Sequence, residues 1–185
     1  SVELFANIEL PEDCKLALEN SACGVGLFRS EFLFLKEEDL PTEDEQFIAY
    51  RMVAEAMQGQ PVIIRTVDLG KDKIPSWQAE NEAPNPALGL TGIRLCLAEP
   101  EMFRIQLRAL LRASAYGKVK LLLPMLSTIN EVKQTKLHLE DVKSQLREEG
   151  QVFDEAIELG GMIEVPAAAM SVALWAAGSL NGMSW

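Results

Sequence analysis

A chain of 185 residues, 48% of them hydrophobic, is long enough to bury a sizeable core and reads as a single domain over 1–185. Its 28 acidic against 17 basic side chains give a formal charge of -11, which argues against a broad nucleic-acid footprint, because that needs a net basic face. Three cysteines (Cys14, Cys23, Cys96) without metal-ligand spacing suit a reducing cytoplasm, the first ten residues carry no basic leader, and the longest apolar run, 167–177, is shorter than the roughly 20 residues a bilayer requires, so no membrane insertion is expected.

Short apolar runs alternate with segments of helical period, the pattern of βα units around a parallel sheet. The first run is Leu4–Ile8, and Pro11 is placed to start a helix reaching about Ser21. The second run, Gly24–Phe28, leads to Thr42 and Glu45, whose spacing predicts a capping box and a helix to about Met57. Val62–Ile64 is the third run, and the stretch with Pro75, Pro84 and Pro86 that follows is too interrupted for regular structure. Pro100 then opens a helix with Phe103, Leu107, Leu110 and Leu111 on one face, ended by Gly117. Val119–Leu123 is the next strand, and Thr128 with Glu131 caps a helix whose stripe is Val132, Leu139, Val142 and Leu146. Gly160–Ile163 is the last strand, Pro166 opens the last helix, and 178–185 is rich in turn residues. The fold class is therefore α/β: a (β/α)8 TIM-type barrel, incomplete, with about five of the eight units that normally occupy ~250 residues. The opening Ser1 and the turn-rich end suggest a fragment.

In three units the residue after the apolar run is charged: Arg29, Arg65 and Glu164. All three belong to the C-terminal rim of the sheet, where barrel enzymes build their sites. Two guanidinium groups aimed at one point would bind a phosphate or carboxylate in bidentate fashion, and a neighbouring glutamate suits a hard cation such as magnesium. Each residue also has a plainer reading. Arg29 could pair with Glu31 at the surface, Arg65 with Asp68 locally, and Glu164 could sit at a helix N-terminus. His138, in mid-helix without a second histidine or cysteine nearby, reads as a surface or boundary residue, and Cys96 as a small buried one. Phosphate-loop and dinucleotide signatures are absent from the sequence.

The stretches Gly24–Phe34, Pro41–Phe47, Ile64–Gly70, Asn85–Gly89, Gln106–Ser114 and Met162–Ala168 together resemble the phosphoenolpyruvate-binding domain of Enzyme I of the phosphoenolpyruvate:sugar phosphotransferase system and its multiphosphoryl-transfer relatives. The resemblance covers nearly the whole chain, from about residue 6 to residue 177. It implies a transferase that passes phosphoryl from phosphoenolpyruvate to a protein histidine, releasing pyruvate in sugar uptake. It also implies that Arg29 and Arg65 hold the phosphate and that Glu164 is one of two carboxylate ligands to Mg2+. Asp68, Lys73 and Arg94 match family positions near the same rim. The implied partners are phosphoenolpyruvate, a phosphohistidine domain of the same parent protein, the histidine phosphocarrier protein and a second copy in a homodimer.

The sequence departs from the family pattern at Thr91, where many members carry arginine. The family's Asn-Asp pair with the second metal carboxylate, a further phosphate-binding arginine and the cysteine acid that protonates the enolate have no counterpart in the chain, so the chain by itself is expected not to turn over substrate. Two other readings stay open: a barrel of the pyruvate phosphate dikinase or phosphoenolpyruvate synthase type, and a non-catalytic dimerisation module.

Overall fold

The computed structural model describes residues 3–36, 39–70, 73–74 and 90–162. Five parallel strands, β1 (Ala6–Ile8), β2 (Val25–Arg29), β3 (Val62–Arg65), β4 (Val119–Leu123) and β5 (Leu159–Gly161), pair in sequence order. Between them lie α1 (Asp13–Glu19), α2 (Phe32–Leu35), α3 (Glu43–Ala56), α4 (Ile93–Ala98), α5 (Pro100–Ala113) and α6 (Ile129–Glu148). A right-handed crossover at every step in one direction puts all the helices on one face of the sheet. A doubly wound sheet would reverse direction and carry helices on both faces. The five alternating units therefore fit part of a TIM-type barrel.

The two expected capping boxes are both present. Thr42 and Thr128 each accept a hydrogen bond from the backbone N–H three residues on, at 3.3 Å, while Glu45 and Glu131 reach back to the cap N–H at 2.7 and 3.0 Å. At the first helix the start shifts: Pro11 lies in a turn, and α1 begins at Asp13, whose carboxylate accepts the Glu9 and Leu10 N–H groups at 3.3 and 3.0 Å. The last strand pairs over Leu159–Gly161 rather than Gly160–Ile163, and Ile163, the proline-containing stretch 75–89 and the Pro166 helix lie outside the described residues. The apolar stretch Ile93–Leu97 is helical.

The core lies between sheet and helices. Val62 and Ile64 of β3, and Val119, Leu121 and Leu123 of β4, alternate onto the helix side and are buried there. On β2 the alternation slips: Val25 pairs with Val62, but Phe28, three residues later, pairs with Ile64. This irregularity lets both Val25 and Phe28 face the helices, and the Phe28 ring meets Tyr50 of α3 edge-on at 6.4 Å. Gly24 is required beside it, since a Cβ there would lie 2.6 Å from the Pro61 carbonyl oxygen. Phe103, Leu107, Leu110 and Leu111 of α5 and Val132, Leu139, Val142 and Leu146 of α6 fill the layer, as their spacing predicts.

On the outside of that layer, Arg108 bridges Glu43 of α3 and Glu149 beyond α6 at 2.6 Å each, and Arg112 reaches Glu43 at 2.7 Å. Hydrogen bonding to Glu149 and Glu43 outweighs burial and raises the Arg108 pKa further above its ordinary value. Cys96 is buried, its thiol donating to the Val67 carbonyl at 3.8 Å, and burial pushes its pKa up to about 12. His138 is half-buried against the edge of Phe103 with ring centroids 5.8 Å apart, in keeping with a boundary residue.

Thr42→Ala and Thr128→Ala should each lower stability by about 1 kcal/mol, and the double variant by the sum, because the two caps share no hydrogen-bond partner. Urea midpoints at unchanged slope are the measurement, and a loss near zero for either variant would remove that cap from the account.

Candidate functional site

Arg29 and Arg65 end β2 and β3 and are register partners. Because Phe28 and Ile64 before them point to the helices, the arginines point to the opposite face, side by side at the C-terminal end of the sheet. They share a cleft of about 310 Å³, also lined by Glu9, Glu31, Phe32 and Leu35. Glu9 and Arg29 extend into an adjoining cleft of about 370 Å³ over Asn7, Ile8, Leu10 and Asp13.

The two arginines are held differently. Arg29 is 47% exposed and among the described residues pairs with Glu9, at 2.5 Å. Arg65 is 13% exposed and lies between two carboxylates, Glu31 and Asp68, each at 3.1 Å. The same Glu31 oxygen also accepts the Asp68 backbone N–H at 3.0 Å, so Glu31 fixes both the guanidinium and the loop that follows β3. Two atoms of this cluster, Glu31 Oε2 and Arg65 Nε, are buried with no hydrogen-bond partner among the described residues.

The local pair of Arg65 with Asp68 is thus present, whereas Arg29 does not pair with Glu31. Two residues apart on a continuing strand they would share a face, but Glu31 has already turned into helical geometry (φ -60, ψ -32) as α2 begins. That turn carries its carboxylate across to β3. Glu9, from the end of β1, takes its place on Arg29. Sequence reading missed Glu9 as a site residue, although it follows β1 directly, as Arg29 follows the apolar run of β2.

Other expected residues fall along the rim. Thr91 forms an isolated bridge with Gly70, and its hydroxyl donates to the Met125 sulfur at 3.5 Å. Next to it, Gly92 has φ 57, a backbone conformation that favours glycine, and a Cβ there would crowd the Asp68 carboxylate at 3.1 Å. Arg94 donates to Ser127 at 3.3 Å and lies 3.7 Å from Glu131, at the start of α6. Lys73 is exposed. Glu164 lies outside the described residues, two positions beyond Met162, whose sulfur is 4.0 Å from Arg65 Nη1. Among the described residues, no group of three or more His, Cys, Asp or Glu side chains could hold a metal ion. Nor is any described helix long and apolar enough to cross a membrane; the apolar run 167–177 lies outside those residues.

A family model described as "PEP-utilising enzyme, PEP-binding domain" matches residues 1–184. Three relatives named phosphoenolpyruvate-protein phosphotransferase are similar over most of this chain. That of Priestia megaterium is 50% identical over 175 residues, covering 95% of this chain and 30% of the relative. That of Bacillus subtilis (strain 168) is 51% identical over 170 residues, covering 91% and 30%. That of Cupriavidus necator is 52% identical over 177 residues, covering 94% and 30%. The chain therefore spans about 30% of the length of these relatives.

An anion binding at Arg29 would compete with Glu9, and an exposed ion pair of this kind is worth roughly 0–1 kcal/mol. Glu9→Gln should therefore tighten binding of inorganic phosphate or sulfate by a few-fold, measured by calorimetric titration at low ionic strength. Unchanged or weaker binding would show that Glu9 does not occupy the anion's position.

Proposed function

Since the chain belongs to the PEP-binding domain family of PEP-utilising enzymes, we propose that it is the phosphoenolpyruvate-holding part of a phosphoenolpyruvate-protein phosphotransferase, with Arg29 and Arg65 as the phosphate ligands. The observation that carries this reading is the parallel register of the two arginines, which aims both into one cleft beside apolar Phe32 and Leu35. Guanidinium groups match the oxygens of a phosphate in paired hydrogen bonds, and the apolar wall suits the methylene end of an enol.

In this reading Arg65 is the fixed anchor. Its carboxylate neighbours hold it in place before substrate arrives, so little orientation entropy is lost on binding. Arg29 is the movable one: it leaves Glu9 and closes on the phosphate. In phosphoryl transfer the negative charge spreads over the three equatorial oxygens, and the protein contributes chiefly by positioning and by countering that charge. Both arginines do this. The receiving histidine would come from a phosphohistidine domain of the parent protein, which passes the group to the histidine phosphocarrier protein of sugar uptake. The same reading carries a homodimer and a cytoplasmic setting, where three free cysteines stay reduced.

A magnesium ion belongs to the proposal, with Glu164 as the residue that would hold it. The rim's chemistry fits: its carboxylates are hard oxygen donors, and Glu31 Oε2 is a buried oxygen lacking a hydrogen-bond partner among the described residues. When bound, the ion would neutralise phosphate charge and hold the phosphate's orientation. Thr91, short and turned to Met125, offers no charge where the family resemblance leads one to expect arginine, so the anion would rest on fewer cations here. The names of the relatives favour this assignment over a dikinase or synthase.

Arg65→Ala should cost about 2–5 kcal/mol of phosphoenolpyruvate affinity, the usual range for one partner of a buried charged pair. Arg65→Lys, which keeps the charge but loses the fork, should recover only part of it. Glu164→Gln should abolish the gain in affinity on adding magnesium while leaving metal-free binding intact. Titration of each variant with phosphoenolpyruvate, with and without magnesium, decides; an Arg65→Ala protein that binds like the wild type would overturn the assignment.

At position 91, Thr91→Arg should raise phosphoenolpyruvate affinity at low salt, with a gain that shrinks as salt is added. A loss of affinity, or a gain insensitive to salt, would mean that position 91 does not face the bound phosphate.

A further inference from the structure

Gln106 lies in the middle of α5 and is fully buried on the same helical face as Phe103 and Leu110, where the amphipathic pattern calls for an apolar residue. Its amide is saturated. The oxygen accepts the Val67 backbone N–H at 3.0 Å, and the nitrogen donates to Ser30 Oγ at 3.1 Å and to Tyr50 OH at 3.0 Å. Ser30 in turn donates to the Arg65 carbonyl at 2.8 Å, and Tyr50 donates to Gln46 Oε1 at 3.1 Å. Gln46 then donates to the Pro41 carbonyl at 3.1 Å.

Every proton in this chain of bonds has one direction. Ser30 must accept from Gln106 because its own proton is committed to Arg65, and Tyr50 must accept because its proton is committed to Gln46. An amide presents one acceptor and two donors on one rigid plane, which is the set these three partners demand. A carboxylate would supply no donor, and an apolar side chain would leave the Val67 N–H without an acceptor and the Ser30 and Tyr50 oxygens without the Gln106 donor.

The network touches the chain where the two arginines are set. Ser30 directly follows Arg29, and the Arg65 carbonyl and the Val67 N–H bracket the first peptide units beyond Arg65. On the β4 side the first of these units is still held by the Thr66 N–H, which donates to the Leu122 carbonyl at 3.0 Å, while its carbonyl and the next N–H, that of Val67, are taken up by the network.

We propose that Gln106 is a positioning residue for the anion site: from the helix layer, its amide locks the exits of β2 and β3 in the register that aims Arg29 and Arg65 into one cleft. This deepens the reading of the arginine pair as a phosphoenolpyruvate site and rests on it. Polar groups buried without partners are costly, so the network also contributes stability. A purely structural role would end there. A positioning role predicts loss of ligand binding beyond what destabilisation explains.

The test compares Gln106→Leu with Val142→Ala, a core truncation in the C-terminal half of α6, away from the rim. Both variants are titrated with phosphoenolpyruvate well below their melting temperatures. Gln106→Leu should bind at least tenfold more weakly than wild type and shift the Arg65 Nε–H resonance in a 15N spectrum, while Val142→Ala changes neither. Tyr50→Phe, which removes the hydroxyl that accepts from Gln106 and donates to Gln46 but keeps the ring, serves if Gln106→Leu fails to fold and should lie between wild type and Gln106→Leu in both readouts. Failure of wild type to bind phosphoenolpyruvate would overturn the underlying site assignment. Wild-type binding with equal binding by Gln106→Leu, or by Tyr50→Phe in its place, and an unmoved Arg65 resonance, would overturn the positioning role alone.

Discussion

Two arginines in parallel register at the ends of adjacent strands are the constraint around which the rim is arranged. Neighbouring strands lie about 4.8 Å apart, so without counter-charge the two guanidinium groups would repel each other beside a largely apolar sheet. Three carboxylates answer this: Glu9 from the end of β1, Glu31 from the turn into α2, and Asp68 from the loop after β3. Each comes from a different strand exit. The parallel topology gathers all the exits at one end of the sheet, so residues far apart in sequence can neutralise one another there.

Much of this was legible in the sequence because it is local. Capping boxes are read at a spacing of three residues, and Thr42 with Glu45 and Thr128 with Glu131 occupy their positions as read. The run Val119–Leu123 is a strand with the expected bounds: Val119, Leu121 and Leu123 alternate into the buried layer, and Lys120 between them reaches Glu158. The short helices were not legible. With four residues in α2 and six in α4, neither completes enough turns to show a 3.6-residue period, and Ile93–Leu97 looks as much like a strand as a helix.

The site itself divides along the same line. The pairing of Arg65 with Asp68 is local and was readable; the pairing of Arg29 with Glu9 depends on β1 lying beside β2, and that of Arg65 with Glu31 on the backbone turning at residue 31. Gln106 left a signal that went unread, a polar residue on the buried face of an otherwise regular amphipathic helix. Its meaning emerges only when the hydroxyls of Ser30 and Tyr50, from a strand exit and another helix, are brought to it.

A protein with a formal charge of -11 that takes up an anion must overcome its own field, and local guanidinium groups have to outweigh the distant charge. On the proposed reading the rim would arrange this as an exchange. Before the anion arrives, carboxylates already occupy both arginines, so desolvation of the buried Arg65 is compensated within the fold rather than at the moment of binding. In the proposed reading the incoming anion would displace the exposed Glu9 from Arg29, a partner whose charge solvent can take over. Arg65 is held by Glu31 and Asp68 and its carbonyl is tied to the Gln106 network through Ser30, whereas Arg29 and its partner Glu9 are exposed. On the proposed reading, binding would then proceed by motion of one side chain, Arg29, towards an anchored Arg65.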